Sequence, residues 1–154
     1  VVVTGPLDAF FTYKPDTSFV VMQNWTQPGQ GIGNTSVFRL RIGAHPYIYD
    51  RLVPEFAQIL KRHRIEQTYI SKTVNEMSFW PDPWCVLFKT HCVPPWPQRW
   101  WREPGLPEGA RVVAFPGDPN PHDAVIGRWP VKKWYKKIYK HIRPAAWIAN
   151  YWRE

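Results

Sequence analysis

The sequence predicts an α/β fold, with a mainly parallel or mixed sheet, flanking helices and long loops rich in Pro and Trp. Three observations carry this. Short apolar runs of strand type alternate with segments of helical spacing. With 44% hydrophobic and 21% charged residues, the 154-residue chain can bury an ordinary core, which argues against disorder of the whole. The 10 Trp and 17 Pro gather mostly between the periodic segments, where they predict ordered loops rather than loose linkers. No run approaches the ~18 apolar residues of a membrane span. No charged start followed by an apolar stretch opens the sequence, so no signal peptide is expected.

The elements follow in order. Val1–Val3 is β-branched and reads as the end of a buried strand. After the turn Thr4-Gly5-Pro6, residues Leu7 to Tyr13 predict a short helix with Pro6 setting its first turn. Ser18–Gln23 is a second β-like run, and Asn24–Gly33 is a loop. From Thr35 to Arg41, Val37, Arg39 and Arg41 alternate with Ser36, Phe38 and Leu40, which predicts a half-buried strand. Pro46–Arg64 is the strongest helix, because Ile48, Leu52, Phe56, Ile59 and Leu60 recur at helical spacing. Pro54 does not suit a helix interior, so a kink is expected near Val53. Glu66–Val74 predicts a second, shorter helix.

Beyond it, Ser78–Pro83 is turn-rich and Trp84–Lys89 is a short strand. Thr90–Gly109 is an ordered loop dense in Pro and Trp. Arg111–Phe115 is a buried strand ended by Pro116-Gly117, and Asp118–Arg128 is a loop. The tail holds one or two helical pieces, broken at Pro130 and Pro144.

Charge divides the chain. Residues 129–154 hold Lys132, Lys133, Lys136, Lys137, Lys140, Arg143 and Arg153 against Glu154 alone, and so most of the net charge of +8. On this basis residues 1–128 are the body and residues 129–154 a basic aromatic helical tail. The first reading of the tail is a helix docked on the body through Trp134, Ile138, Trp147 and Trp152, with a solvated lysine face. The second is a helix lying on an anionic membrane, and the third a grip on single-stranded nucleic acid.

The usual chemical motifs are missing. Cys85 and Cys92 lack the spacing of a zinc site and read as buried or idle thiols of a reducing compartment. The histidines form no metal pattern, and no Ser sits in a nucleophile elbow. Gly31-Ile32-Gly33-Asn34-Thr35-Ser36 lacks the spacing of a phosphate loop, and reads as a turn feeding a strand with Asn34 bonding locally. The sequons at Asn24 and Asn34 read as chance.

Taken in order, several segments resemble bacterial nucleotide-sugar glycosyltransferases of the GT-A type, including glycogenin-like members. Val1 to Phe11 resembles the strand end, turn and short aromatic helix that follow that family's Asp-x-Asp. Gly33-Asn34-Thr35-Ser36-Val37-Phe38-Arg39 is similar to the strand start that lines its sugar site, and Gly43-Ala44-His45-Pro46 to a helix opening. Glu66-Gln67-Thr68-Tyr69-Ile70 resembles its Asp-Gln helix start, with Glu in place of Asp. Trp80-Pro81-Asp82-Pro83-Trp84 to Lys89 resembles a late strand, Val112 to Pro121 a phosphate and metal loop, and Trp147 to Trp152 the family's closing segment.

The resemblance implies a partial GT-A-like mixed sheet, forming the carboxyl-terminal half of a catalytic domain cut just after Asp-x-Asp. It implies transfer of a sugar from a nucleotide-sugar donor to a glycan or lipid-linked acceptor, in polysaccharide biosynthesis. Glu66 and Gln67 would be catalytic, and Asn34, Thr35, Ser36, Lys89, Gly117 and Asp118 would bind substrate. His122 would contribute to a site for a divalent cation, Mn²⁺ or Mg²⁺, in the full-length protein. Asn34, Glu66, Gln67 and Lys89 would share one cleft. These residues alone would show little turnover, because the metal carboxylates would lie upstream. The expected location is cytoplasmic, peripheral on the inner membrane face, with an anionic membrane surface as a partner and no nucleic acid. The alternatives from other classes are a non-catalytic carbohydrate-binding module with an aromatic platform, and a basic membrane or nucleic-acid binder.

Overall fold

Six short strands and four α-helices alternate along residues 1–152, the part of the chain that the computed structural model describes. They are β1 (Val2–Val3), α1 (Asp8–Thr12), β2 (Phe19–Gln23), β3 (Gly33–Leu40), α2 (Pro46–Arg62), α3 (Glu66–Thr73), β4 (Ser78–Phe79), β5 (Cys85–Leu87), β6 (Val112–Ala114) and α4 (Pro121–Val125). The architecture is mixed α/β. It holds two three-stranded sheets, ordered β3-β2-β4 and β1-β6-β5, each with one antiparallel and one parallel pairing. The chain divides into two units, Leu7–Pro81 and the combination of Val1–Pro6 with the residues from Asp82 onward. Arg153 and Glu154 lie outside the described residues.

In the Leu7–Pro81 unit, β2 is central and buried from Phe19 to Met22. It pairs antiparallel with β3 (Val20 opposite Arg39) and parallel with β4 (Val20 opposite Ser78). Phe19, Val21 and Val74 form the core, with Ile48, Ile70, Met77 and Phe79 packed around it. Gly33 starts β3 because a side chain there would collide with Val21: an added Cβ would lie 2.5 Å from Val21 Cγ1.

Strand β3 alternates as expected, but its faces are the reverse of a simple hydropathy pattern. Val37 and Arg39 are half-buried, whereas Phe38 and Leu40 are exposed. The reason lies in α1, whose last carbonyls have no partner within the helix. Arg39 Nη1 donates to Phe10 O (2.8 Å) and Tyr13 O (2.7 Å), and Nη2 donates to Lys14 O (2.8 Å). The guanidinium carbon also lies 5.6 Å from the Trp80 ring centroid.

Helix α2 carries the expected break. Pro54 lies inside it, and Glu55 leaves helical geometry (φ −105°, ψ 15°). A proline has no N–H to donate, and its ring meets the carbonyl of the preceding turn. The kink shifts the phase of the apolar stripe. Ile59 is buried and Ile48 and Leu52 are half-buried, while Phe56 and Leu60 are exposed, contrary to the uniform inward face that the spacing predicts. Tyr69 of α3 donates its hydroxyl to Ile48 O (2.7 Å), tying the two helices.

In the other unit, β6 is central. It pairs antiparallel with β1 (Val2 opposite Val113) and parallel with β5 (Cys85 opposite Val112). Val2, Val86, Phe88, Val113, Ala124 and Ile148 belong to its core. Strand β5 ends at Leu87, shorter than the predicted Trp84–Lys89, because Phe88–Cys92 turns into a π-helical loop. The predicted loop 118–128 contains α4, nucleated by reciprocal caps between Asn120 and Asp123 with Pro121 in the first turn.

Residues 129–152 fall in the same compact unit as Val1–Pro6 and the residues from Asp82 onward. The tail forms two 3₁₀ pieces, Trp134–Ile138 and Ala146–Asn150, rather than α-helix. Ile142 and Ile148 are buried, and Trp147 and Trp152 pack partly on the core. Trp134 and Ile138, expected to pack with them, are instead 78% and 54% exposed. A 3₁₀ turn repeats every three residues, so the Trp134–Ile138–Ile142 stripe that an α-helix would present does not form.

Both cysteine thiols are buried, and burial pushes each up to about 12. The thiolate is the reactive form. Native protein is therefore expected to be inert to Ellman's reagent at pH 8, and unfolded protein to release two equivalents of chromophore, one each from Cys85 and Cys92. Rapid native reaction at either position would contradict this burial.

Candidate functional site

The sequence-predicted residues fall into two groups, one in each unit. In Leu7–Pro81, the start of β3 meets the first turns of α3. Gly33 N–H donates to Ser71 Oγ (2.9 Å), Asn24 Nδ2 to Gln67 Oε1 (3.2 Å) and Thr35 Oγ1 to Glu66 Oε1 (3.4 Å). Asn24 is itself buried, and its Oδ1 accepts from the backbone N–H (3.1 Å) and hydroxyl (2.6 Å) of Thr26. These bonds bring Thr35, Glu66 and Gln67 into one polar cluster.

Asn34 is buried beside that cluster, and its Oδ1 accepts from Ser36 N–H (3.0 Å), the local bond its turn position predicts. Ser36 is exposed. Asn24 and Ser71 are functional candidates that sequence reasoning missed. Asn24 stood out only as a sequon, and Ser71 carried no signal.

The second group lies between Phe88 and Lys140. Lys89 Nζ donates to Pro116 O, beside Gly117, whose positive φ of 64° shapes the turn. Burial, then the nearby Lys140, lowers the Lys89 pKa from the ordinary lysine value, while Asp118 opposes the shift. Asp118 also borders a cavity of about 470 Å³ lined by Lys132, Lys133, Lys136 and Lys140. Lys132, Lys133, Lys136 and Lys140 of the tail therefore line one basic pocket with Asp118, and Lys140 and Asp118 both act on Lys89. The tail's charge was legible in the sequence, but its approach to Asp118 was not.

His122 is exposed at the start of α4, with Nε2 3.5 Å from Asp123 Oδ2. Asp123 is only 2% exposed, and its carboxylate is already engaged by Arg128 and by Asn120 N–H (3.3 Å). Among the described residues no group of three or more metal-ligating side chains gathers. The donors at His122 thus do not make a divalent-cation site by themselves. No helix among the described residues is long and apolar enough to cross a membrane.

The arrangement can hold anions at the Lys89 turn and can offer hydroxyl, amide and carboxylate groups at the Thr35–Gln67 cluster. Comparison with protein-family models, with curated proteins and with solved structures returns no match.

Proposed function

We propose that the chain is the carboxyl-terminal part of a nucleotide-sugar glycosyltransferase of the GT-A type, with the donor diphosphate held at Lys89 and the Gly117 turn. The observation that carries this reading is the basic pocket, where Lys132, Lys133, Lys136 and Lys140 line a cavity that Asp118 borders next to Lys89. When the bond from sugar to phosphate breaks, negative charge grows on the departing diphosphate. Ammonium groups gathered around it offset that charge. Taken by itself, the polar cluster of Asn24, Thr35, Glu66 and Gln67 in the Leu7–Pro81 unit is of the kind that binds sugar hydroxyls, and Glu66 and Gln67 are its proposed sugar-facing residues. A glycan or lipid-linked acceptor follows from the same reading.

Lys89 binds phosphate in its charged form, and its pKa lies below the ordinary lysine value. Affinity for a diphosphate is therefore expected to fall as pH rises through that lowered pKa, and the bound anion draws the pKa back up. Isothermal titration with UDP, GDP and ADP against the corresponding nucleosides tests the reading. Diphosphates are expected to bind and nucleosides to bind far more weakly, with Lys89→Gln and Lys140→Gln each losing roughly tenfold. Equal binding of nucleoside and diphosphate, or wild-type affinity in both variants, would refute it.

A further inference from the structure

We propose that the 3₁₀ turn Trp134–Ile138, with its flanking lysines, is a docking surface for an anionic lipid bilayer. Trp134 is 78% exposed and Ile138 54%, and Tyr135 and Tyr139 are exposed beside them. Lys132, Lys133 and Lys137 are exposed on the same short stretch. No acidic residue occurs between Asp123 and Glu154, so nothing within the segment neutralises this charge.

Side chains three apart share a side of a 3₁₀ turn, so Tyr135 lies with Ile138 and Trp134 with Lys137, and the flanks of the turn are anchored. Arg99 Nη1 donates to Tyr139 O (2.9 Å). Trp129 takes Arg99 and Lys140 against its ring, at 5.5 and 5.9 Å from the centroid. The Trp100 ring stacks on His141 with centroids 4.5 Å apart. Exposed apolar groups interspersed with lysines suit the boundary between headgroups and acyl chains. There Trp and Tyr sit at the headgroups, aliphatic side chains reach the acyl region, and lysines meet anionic lipid.

Two details favour a bilayer over single-stranded nucleic acid. Base stacking needs an aromatic platform, but the Trp134 and Tyr135 rings stand nearly perpendicular, at 83°. Ile138 has no face on which a base can stack, whereas it suits an acyl chain. The proposal does not rest on the transferase reading, since its apolar anchors lie outside the basic pocket.

The test is co-sedimentation of the full chain with phosphatidylcholine vesicles, with and without phosphatidylglycerol. Binding is expected only to the anionic vesicles and should be lost in about 0.5 M salt. Trp134→Ala with Ile138→Ala should lower the partition coefficient roughly tenfold while leaving diphosphate affinity unchanged. Brominated acyl chains should quench the fluorescence of the native chain more than that of Trp134→Phe, a readout that survives if the double variant folds poorly. Equal recovery on both vesicle types, unaltered partition of a folded double variant, or equal quenching of native and Trp134→Phe chains would overturn the proposal. So would binding to an oligonucleotide without binding to vesicles.

Discussion

Arg39→Ala is expected to be among the most destabilising single changes in the Leu7–Pro81 unit, at about 3 kcal/mol, less than its bonds sum to because the side chain is only half-buried. Arg39 serves three well-aligned carbonyls from Phe10 to Lys14, with longer contacts to Phe11 O (3.3 Å) and Thr17 O (3.4 Å). No other residue type offers five N–H groups in a rigid fork. Arg39→Lys keeps the charge, yet it should recover less than half of the loss, because one ammonium cannot reach carbonyls spread around the end of α1. Urea denaturation followed by circular dichroism measures both. Near-complete recovery by lysine would mean that charge, and not geometry, holds the turn together.

The second large effect is expected at the Asp123–Arg128 pair. Asp123 is nearly inaccessible, whereas the Arg128 side chain is 58% exposed. The two partners are thus unequal. Removing the arginine strands a buried carboxylate, while removing the carboxylate leaves an arginine that water can solvate. Arg128→Met should therefore cost about 3 kcal/mol, and adding Asp123→Asn to it should restore roughly half, since the amide oxygen can still accept from Asn120 N–H. A chain with Arg128→Met that melts like wild type would show that the carboxylate finds its solvation elsewhere. Because Ala145 N–H donates to Ala124 O (2.9 Å), loosening α4 should also speed tryptic cleavage at the lysines of residues 132–140.

The periodic elements were legible in the sequence. Strands β2 and β6 are runs of β-branched residues, and α2 and α3 announce themselves by spacing, down to the break at Pro54. Features decided by distant partners were not. The inward face of β3 is set by carbonyls in and just beyond α1, from Phe10 to Thr17, 22 to 29 positions away along the chain, which no local window includes. Helix α4 has too few turns to show a period, and its signal is the pairing of Asn120 with Asp123. The tail misled because aromatic and aliphatic residues at a spacing of four imply an α-helix only if the backbone adopts one. At the candidate site, Glu66 meets Thr35 of β3 and Gln67 meets Asn24 of the preceding loop, whereas Asn34 spends its oxygen on a local bond. The approach of Lys140 to Lys89 is a tertiary fact that neither motif nor charge count encodes.

The pairing of β1 with β6 also has a temporal side. Thr4 Oγ1 donates to Ala110 O across 106 positions of sequence, and Leu7–Pro81 lies wholly within that span. On a translating ribosome Val2 and Val3 must wait for β6 while this intervening segment emerges. At typical elongation rates that interval is about 5 to 20 s, long compared with the formation of a local hairpin. Val2, which ends with 1% of its surface exposed, is apolar and unpaired throughout. The β1-β6-β5 sheet closes only once β6 has emerged, so its yield in the cell should respond more steeply to chaperones acting during synthesis than that of the contiguous Leu7–Pro81 segment.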